Sequence, residues 1–114
     1  MTTQEIAQKL TAYCNAAKFD EAYNTLFAQH AKSIEPDGTI AEGLAAIHQK
    51  SENFGAVVQF VSCELGAVQI AGNYFSMVQT YHSIIHATGE QKRMEEIAVY
   101  KVEDGKIVEE RFFY

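Results

Sequence analysis

The chain has 114 residues, 47% of them hydrophobic and 21% charged, with a formal net charge of −6. This length holds one domain with a real core and excludes two, and the composition excludes a disordered chain. With no lysine or arginine cluster to displace counterions, the acidic balance argues against a nucleic-acid or anionic-membrane partner.

Thr2 or Thr3 can cap a first helix that carries Ile6, Leu10, Tyr13, Cys14 and Ala17 at helical spacing, and Thr2 with Glu5 matches a capping box. The opening MTTQEIAQKL lacks the basic region and apolar run of a secretory leader. No apolar segment approaches the ~20 residues needed to span a bilayer. Cys14 and Cys63 are the only cysteines and form no CxxC pair, so a reducing, cytoplasmic setting with two packed thiols is expected.

A second helix starts near Phe19 and Asp20, with Phe19, Ala22, Tyr23, Leu26 and Phe27 along one side, and His30 is expected at a helix end. Ala31 to Glu35 reads as extended; Pro36 ends it, and Asp37-Gly38 turns the chain. A third helix is predicted from about Ala41 to Phe54, with Leu44, Ile47, Ser51 and Phe54 on one side and Gly55 as its stop.

From Ala56 onward the pattern is nearly all strand: Val57 to Leu65, a bulge or bend at Gly66, then Val68 to Ala71. Gly72-Asn73 turns into a long strand from Tyr74 to Ala87, and Thr88-Gly89-Glu90 turns again. The last 22 residues, Arg93 to Tyr114, form two strands joined at Asp104-Gly105, a pair suited to a tight hairpin turn. The first of these strands is apolar on both faces, with Ala98, Tyr100 and Val102 on one and Ile97 and Val99 on the other. A sheet solvated on one side alternates apolar and polar residues. This one needs two covers, helices on one face and a partner subunit on the other. Helices followed by an antiparallel meander is the order of an α+β fold.

Three stretches, LFAQHAKSIEPDG (Leu26 to Gly38), EGLAAIHQK (Glu42 to Lys50) and VYKVEDGKIVEERFFY (Val99 to Tyr114), together resemble the nuclear transport factor 2-like superfamily and, within it, the SnoaL-like proteins. The resemblance spans residues 1–114 as a single domain. It implies an NTF2-like, cystatin-like cone in which three N-terminal helices pack on a curved, mostly antiparallel sheet. It also implies an apolar pocket on the concave face and a homodimer through the outer face. The superfamily is functionally mixed, covering isomerases, cyclases, dehydratases, hydrolases and adaptors, so the fold alone does not name a reaction.

Glu35-Pro36 stands where the similar ketosteroid isomerases carry a general-base carboxylate, and desolvation at a pocket mouth would raise its pKa toward neutrality. The isomerase's two enolate donors, a tyrosine and a protonated aspartic acid, fall on Leu10 and Ala98, neither of which can donate. Strand alternation groups Glu96, Ala98 and Tyr100; Glu110, Phe112 and Tyr114; and Met77, Gln79, Tyr81, Ser83 and Ile85. The resemblance assigns these sets to the concave side. The candidate catalytic groups are therefore Glu35, Glu110 and His48, the last beside the buried side of the third helix. The candidate ligand contacts are Tyr81, Tyr100, Phe54, Gln79, Phe112 and Tyr114. Against this, strand-end charges are commonly solvated, and Glu96 and Glu110 would then meet water, Arg93 or Arg111. His82 and His86 share the opposite parity, roughly 13 Å apart at the strand rise, too far for one metal.

No His/Cys/Asp cluster has zinc spacing, and there is no nucleophile elbow, phosphate-binding glycine loop or dinucleotide fingerprint, so no metal or cofactor is expected. Two functions follow. One is a SnoaL-like pocket protein for a small, apolar, carbonyl-bearing molecule, a lyase, isomerase or cyclase with Glu35 as base. The other is a non-catalytic homodimeric ligand-binding or adaptor module.

Overall fold

A computed structural model describes residues 1–114. The helices are α1 (Thr3–Asn15), α2 (Phe19–Leu26) and α3 (Leu44–Val57). The strands are β1 (Phe27–Ile34), β2 (Ile40–Glu42), β3 (Val58–Leu65), β4 (Gln69–Ala71), β5 (Tyr74–Ile85), β6 (Gln91–Glu103) and β7 (Lys106–Phe113). The strands form one seven-stranded sheet in the order β2-β1-β7-β6-β5-β3, with β4 added beside β5. Only β1 and β7 pair in parallel. No helix is long and apolar enough to cross a membrane.

Local signals explain most boundaries. The Thr2 hydroxyl accepts from the Glu5 N–H at 3.1 Å, and the Glu5 carboxylate accepts from the Thr2 N–H at 3.0 Å, a closed capping box at the start of α1. Asp104 and Gly105 both take positive φ, 51° and 73°, between the paired residues Glu103 and Lys106. That is the two-residue turn whose twist matches its strands.

Three boundaries differ from the sequence reading. Helix α2 stops at Leu26, because Phe27 turns extended to begin β1. His30 therefore lies exposed in a strand and not at a helix end. Ile40–Glu42, expected near the start of the third helix, pairs instead with Lys32–Ile34 as β2. The helix waits for Gly43, whose φ of 90° suits glycine. Gly55 does not stop α3; it keeps a negative φ, and the helix runs on to Val57.

The core lies between the helices and the concave face of the sheet. Ile6, Leu10, Leu26 and Ile47 pack from the helices against Phe75, Met77, Ala98, Tyr100 and Ile107. At its centre Phe75 stacks on Tyr100, with centroids 4.8 Å apart and planes 16° from parallel. The opposite face has no such cover. Val78, Ile97 and Phe113 are 42%, 48% and 50% exposed, and they sit side by side across β5, β6 and β7. The Phe75→Ala variant should lose about 3–5 kcal/mol of stability by urea denaturation, since it empties a sealed site that both layers share. A loss below about 1 kcal/mol would mean the layers collapse to refill it.

Candidate functional site

At one end of the concave face the helices stand away from the sheet and leave a cavity of about 540 Å³. Helix α2 contributes Phe19 and Tyr23, and α3 contributes Ile47, Lys50, Ser51, Asn53, Phe54 and Gly55. The sheet contributes Val58, Phe60, Tyr81, Met94, Glu96, Glu110 and Phe112, and Glu35 and Tyr114 complete the wall. Most of this surface is apolar, so each charged group in it is conspicuous.

Glu35 follows the last residue of β1 and is already engaged. Lys50 pairs with its Oε1, and the Tyr114 hydroxyl donates to its Oε2 at 2.7 Å. This hydrogen bond is the main reason the Tyr114 phenol is pushed up to about 12. Lys50 also donates to the Ser33 hydroxyl at 2.7 Å and lies 4.9 Å from the centre of the Phe112 ring. The Glu35 carboxylate thus has a counter-charge and a donor, unlike the bare desolvated base expected from its place before Pro36.

Glu110 and Glu96 have no ion-pair partner. Glu110 is only 4% exposed, and desolvation raises its carboxyl to about 7; Glu35 adds repulsion, while a Ser33 hydrogen bond and the charge of Lys50 partly oppose the rise. Glu96 is half-buried and also raised to about 7, first by desolvation and then by repulsion from Glu35 and Glu110. Neither meets an arginine. Arg93 pairs with Glu95 at 2.9 Å, and Arg111 lies 3.9 Å from Glu109. The solvated reading of these two strand-end charges is therefore corrected: alternation points them inward while the arginines point out.

The remaining candidates divide. Tyr81, Phe54, Phe112 and Tyr114 line the cavity. Gln79 and Tyr100 do not; they lie beneath it, 1% and 3% exposed. The Tyr81 hydroxyl donates to Gln79 Oε1 at 2.8 Å, and Gln79 Nε2 donates to the Tyr100 hydroxyl at 2.9 Å, a polar chain that braces the floor. His48 lies off the cavity wall, on the seam between α2 and α3. Its Nε2 is 2.9 Å from Asn24 Oδ1, its Nδ1 is 3.5 Å from Asp20, and its ring meets Tyr23 edge-on. Leu10 and Ala98 are core residues, 3% and 0% exposed, and offer no donor. No group of three His, Cys, Asp or Glu side chains is arranged to hold a metal ion.

The sequence reading missed Lys50. It lies three residues after Ile47 and four before Phe54, on the side of α3 it assigned to apolar residues, and a charge on such a stripe was the available signal. Phe19 was placed only by its helical spacing, and Phe60 gave no signal beyond strand parity. They meet edge to face at 5.2 Å because the fold brings the first residue of α2 against β3.

A family model described as a SnoaL-like domain matches residues 1–114. No protein of curated function matches the sequence. Among solved structures, a candidate SnoaL-like polyketide cyclase from Mesorhizobium loti superposes with a TM-score of 0.92 at 28% identity, covering 100% of both chains. An NTF2-like protein from Burkholderia thailandensis gives 0.84 at 19% identity, over 99% of this chain and 90% of that one. A protein from Catenulispora acidiphila with a ketosteroid isomerase-like fold, in complex with trimethylamine, gives 0.80 at 16% identity, over 100% of this chain and 87% of its own.

The raised carboxyl of Glu110 has a thermodynamic consequence. Between its ordinary value of 4.5 and about 7, the folded protein holds a proton that the unfolded chain has released. Stability from this group is therefore complete below about pH 4.5 and is lost as the pH rises through about 7. Glu110→Gln removes that loss. Relative to the parent protein it should gain stability as pH rises across this window, by an amount on the order of 3 kcal/mol. Denaturation curves at several pH values check this, and a stability difference that does not change with pH would refute it.

Proposed function

This chain belongs to the SnoaL-like domain family, and on that basis we propose that it binds a small, largely apolar, carbonyl-bearing molecule in the cavity and moves a proton on it. The observation that carries the reading is Glu110, a sealed carboxyl on the cavity wall with no cation paired to it. A group titrating near neutrality is half-ionised at working pH, which suits a general base or acid. Glu96 titrates in the same range. Because the two repel, their singly protonated state supplies one base and one acid, and the two apparent pKa values belong to the pair.

In this scheme Glu110 takes a proton from the carbon beside the carbonyl, the C–H electron pair forms the new C=C bond, and the C=O π pair moves onto the oxygen. Protonated Glu96 hydrogen-bonds that oxygen, and the proton then returns at the same or a conjugated carbon. Glu35, assigned the base from its place before Pro36, acts here as the fixed anion held by Lys50 and Tyr114. Its charge helps keep the other two carboxyls protonated. Steroid-type isomerisation by the known route is not proposed, because Leu10 and Ala98 supply no donor, and losing even one such donor costs about 10²–10³ in rate. The second reading, a non-catalytic homodimeric ligand-binding or adaptor module, draws on the exposed Val78–Ile97–Phe113 row, which we take as the contact between two copies of this chain.

Deuterium exchange beside the carbonyl of 2-tetralone in D₂O, followed by NMR, tests the catalytic reading. Exchange should exceed the buffer rate, peak near neutral pH and fall about 10²-fold or more in Glu110→Gln. Saturable binding without exchange at any pH would favour the non-catalytic module. The interface is tested apart from the chemistry: light scattering should find a dimer, and Ile97→Glu should give a folded monomer. A parent protein that is monomeric at micromolar concentration would refute the outer-face contact.

A further inference from the structure

Proton transfer leaves the charge balance of the cavity unexplained. Its lining holds three carboxyls, Glu35, Glu96 and Glu110, against a single cation, Lys50. Lys50 is engaged by Glu35 and Ser33. Glu96 and Glu110 take part in none of the protein's ion pairs. Two carboxyls, one of them almost fully sealed, therefore face a poorly solvated space without a protein counter-charge. Desolvated charges are costly unless paired.

The same space is walled by aromatic rings. Tyr81 stands diagonally across from Glu96 on β5, beside its partner Gln79. On β7, Phe112 pairs with Ala98, two residues from Glu96 on the same face. Diagonal neighbours of this kind lie within reach of long side chains, at about 7–8 Å between Cα atoms. Phe19 and Tyr23 from α2 and Phe60 from β3 complete the aromatic lining. The face of an aromatic ring is electronegative and attracts cations. Phe112 already meets one, the Lys50 ammonium.

We propose that the ligand of this cavity is an organic cation: an apolar molecule with a protonated or quaternary amine, whose nitrogen is received by Glu96 and Glu110 and whose substituents lie against the aromatic rings. An anion would enter beside two carboxyls with the one lysine already neutralised. A neutral carbonyl ligand can accept a hydrogen bond from a protonated carboxyl but brings no counter-charge to an ionised one. The net charge of −6 also concentrates cations around the chain. This deepens the reading of the cavity as a ligand site, since the carbonyl compound becomes an amine-bearing one. It rests on that reading but needs no catalysis.

The surroundings allow the charge of the site to be tuned by these two acids. The other charged groups facing them are Glu35 and Lys50, paired with each other. The phenols of Tyr23, Tyr81 and Tyr100 are driven up by burial, and that of Tyr114 by Glu35. The thiols Cys14 and Cys63 are also raised by burial, to about 12 and about 11. These six stay neutral as the pH crosses 7.

A matched pair of soluble probes tests the proposal: (3-hydroxyphenyl)trimethylammonium and its neutral isostere 3-tert-butylphenol, titrated into the protein by calorimetry. The cation should bind about tenfold or more tighter than the isostere. Its advantage should grow as pH rises through about 7, where Glu96 and Glu110 ionise. Glu96→Gln should reduce that advantage, and Glu96→Gln/Glu110→Gln should abolish it. If the phenol binds as tightly as the cation, or the preference survives in Glu96→Gln/Glu110→Gln, the cation proposal is overturned and the small-molecule pocket stands. If neither probe binds at any pH, both readings fall.

Discussion

The ion pair between Lys50 on α3 and Glu35 after β1 sets the electrical state of everything near it. It joins a helix to the sheet at the cavity wall, with Ser33 and Tyr114 completing its hydrogen bonds. It also consumes the only cation in the lining. Glu96 and Glu110 are left with burial, chiefly, and with repulsion that includes the Glu35 charge, and both are raised to about 7. Had Lys50 pointed to solvent, three carboxyls would compete for protons. Had it met Glu110 instead, Glu110 would lose its special character.

The sheet makes this arrangement possible by separating two jobs along one face. Near the helices' main contact the inward residues are Phe75, Met77, Ala98 and Tyr100, and they are close-packed. Further along, the same alternation presents Tyr81, Glu96, Glu110 and Phe112 to open space. Gln79 sits at the join and ties Tyr81 to Tyr100, so the floor of the cavity is anchored in the core by two hydrogen bonds. This keeps buried polar atoms satisfied where the environment changes from dry to polar. Leu10 and Ala98 fall on the packed side of that join. This is why positions that would carry donors in a similar isomerase here serve packing, and why the acid–base groups are found elsewhere.

What the chain itself determined is the part governed by local rules. The capping box, the Asp104-Gly105 turn and the alternation of the long strands depend on neighbours a few residues apart, and so the α+β order and the shared parity of Glu110 with Phe112 were legible, while the side they face followed only from the family resemblance. Boundaries failed where a local signal was outweighed. Ile40–Glu42 became a strand because β1 offered backbone partners, and Gly55 stayed helical because nothing there required a positive φ. Only the tertiary structure decided what each carboxyl meets. Glu35 gained a lysine from α3, 15 residues later in the chain, and a tyrosine 79 residues away. Glu96 and Glu110 gained none, while Arg93 and Arg111, close by in sequence, turned outward with the opposite strand parity. Charge pairing falls with distance in space and not in sequence, so the residues were readable from the chain, but their protonation and roles followed from the fold.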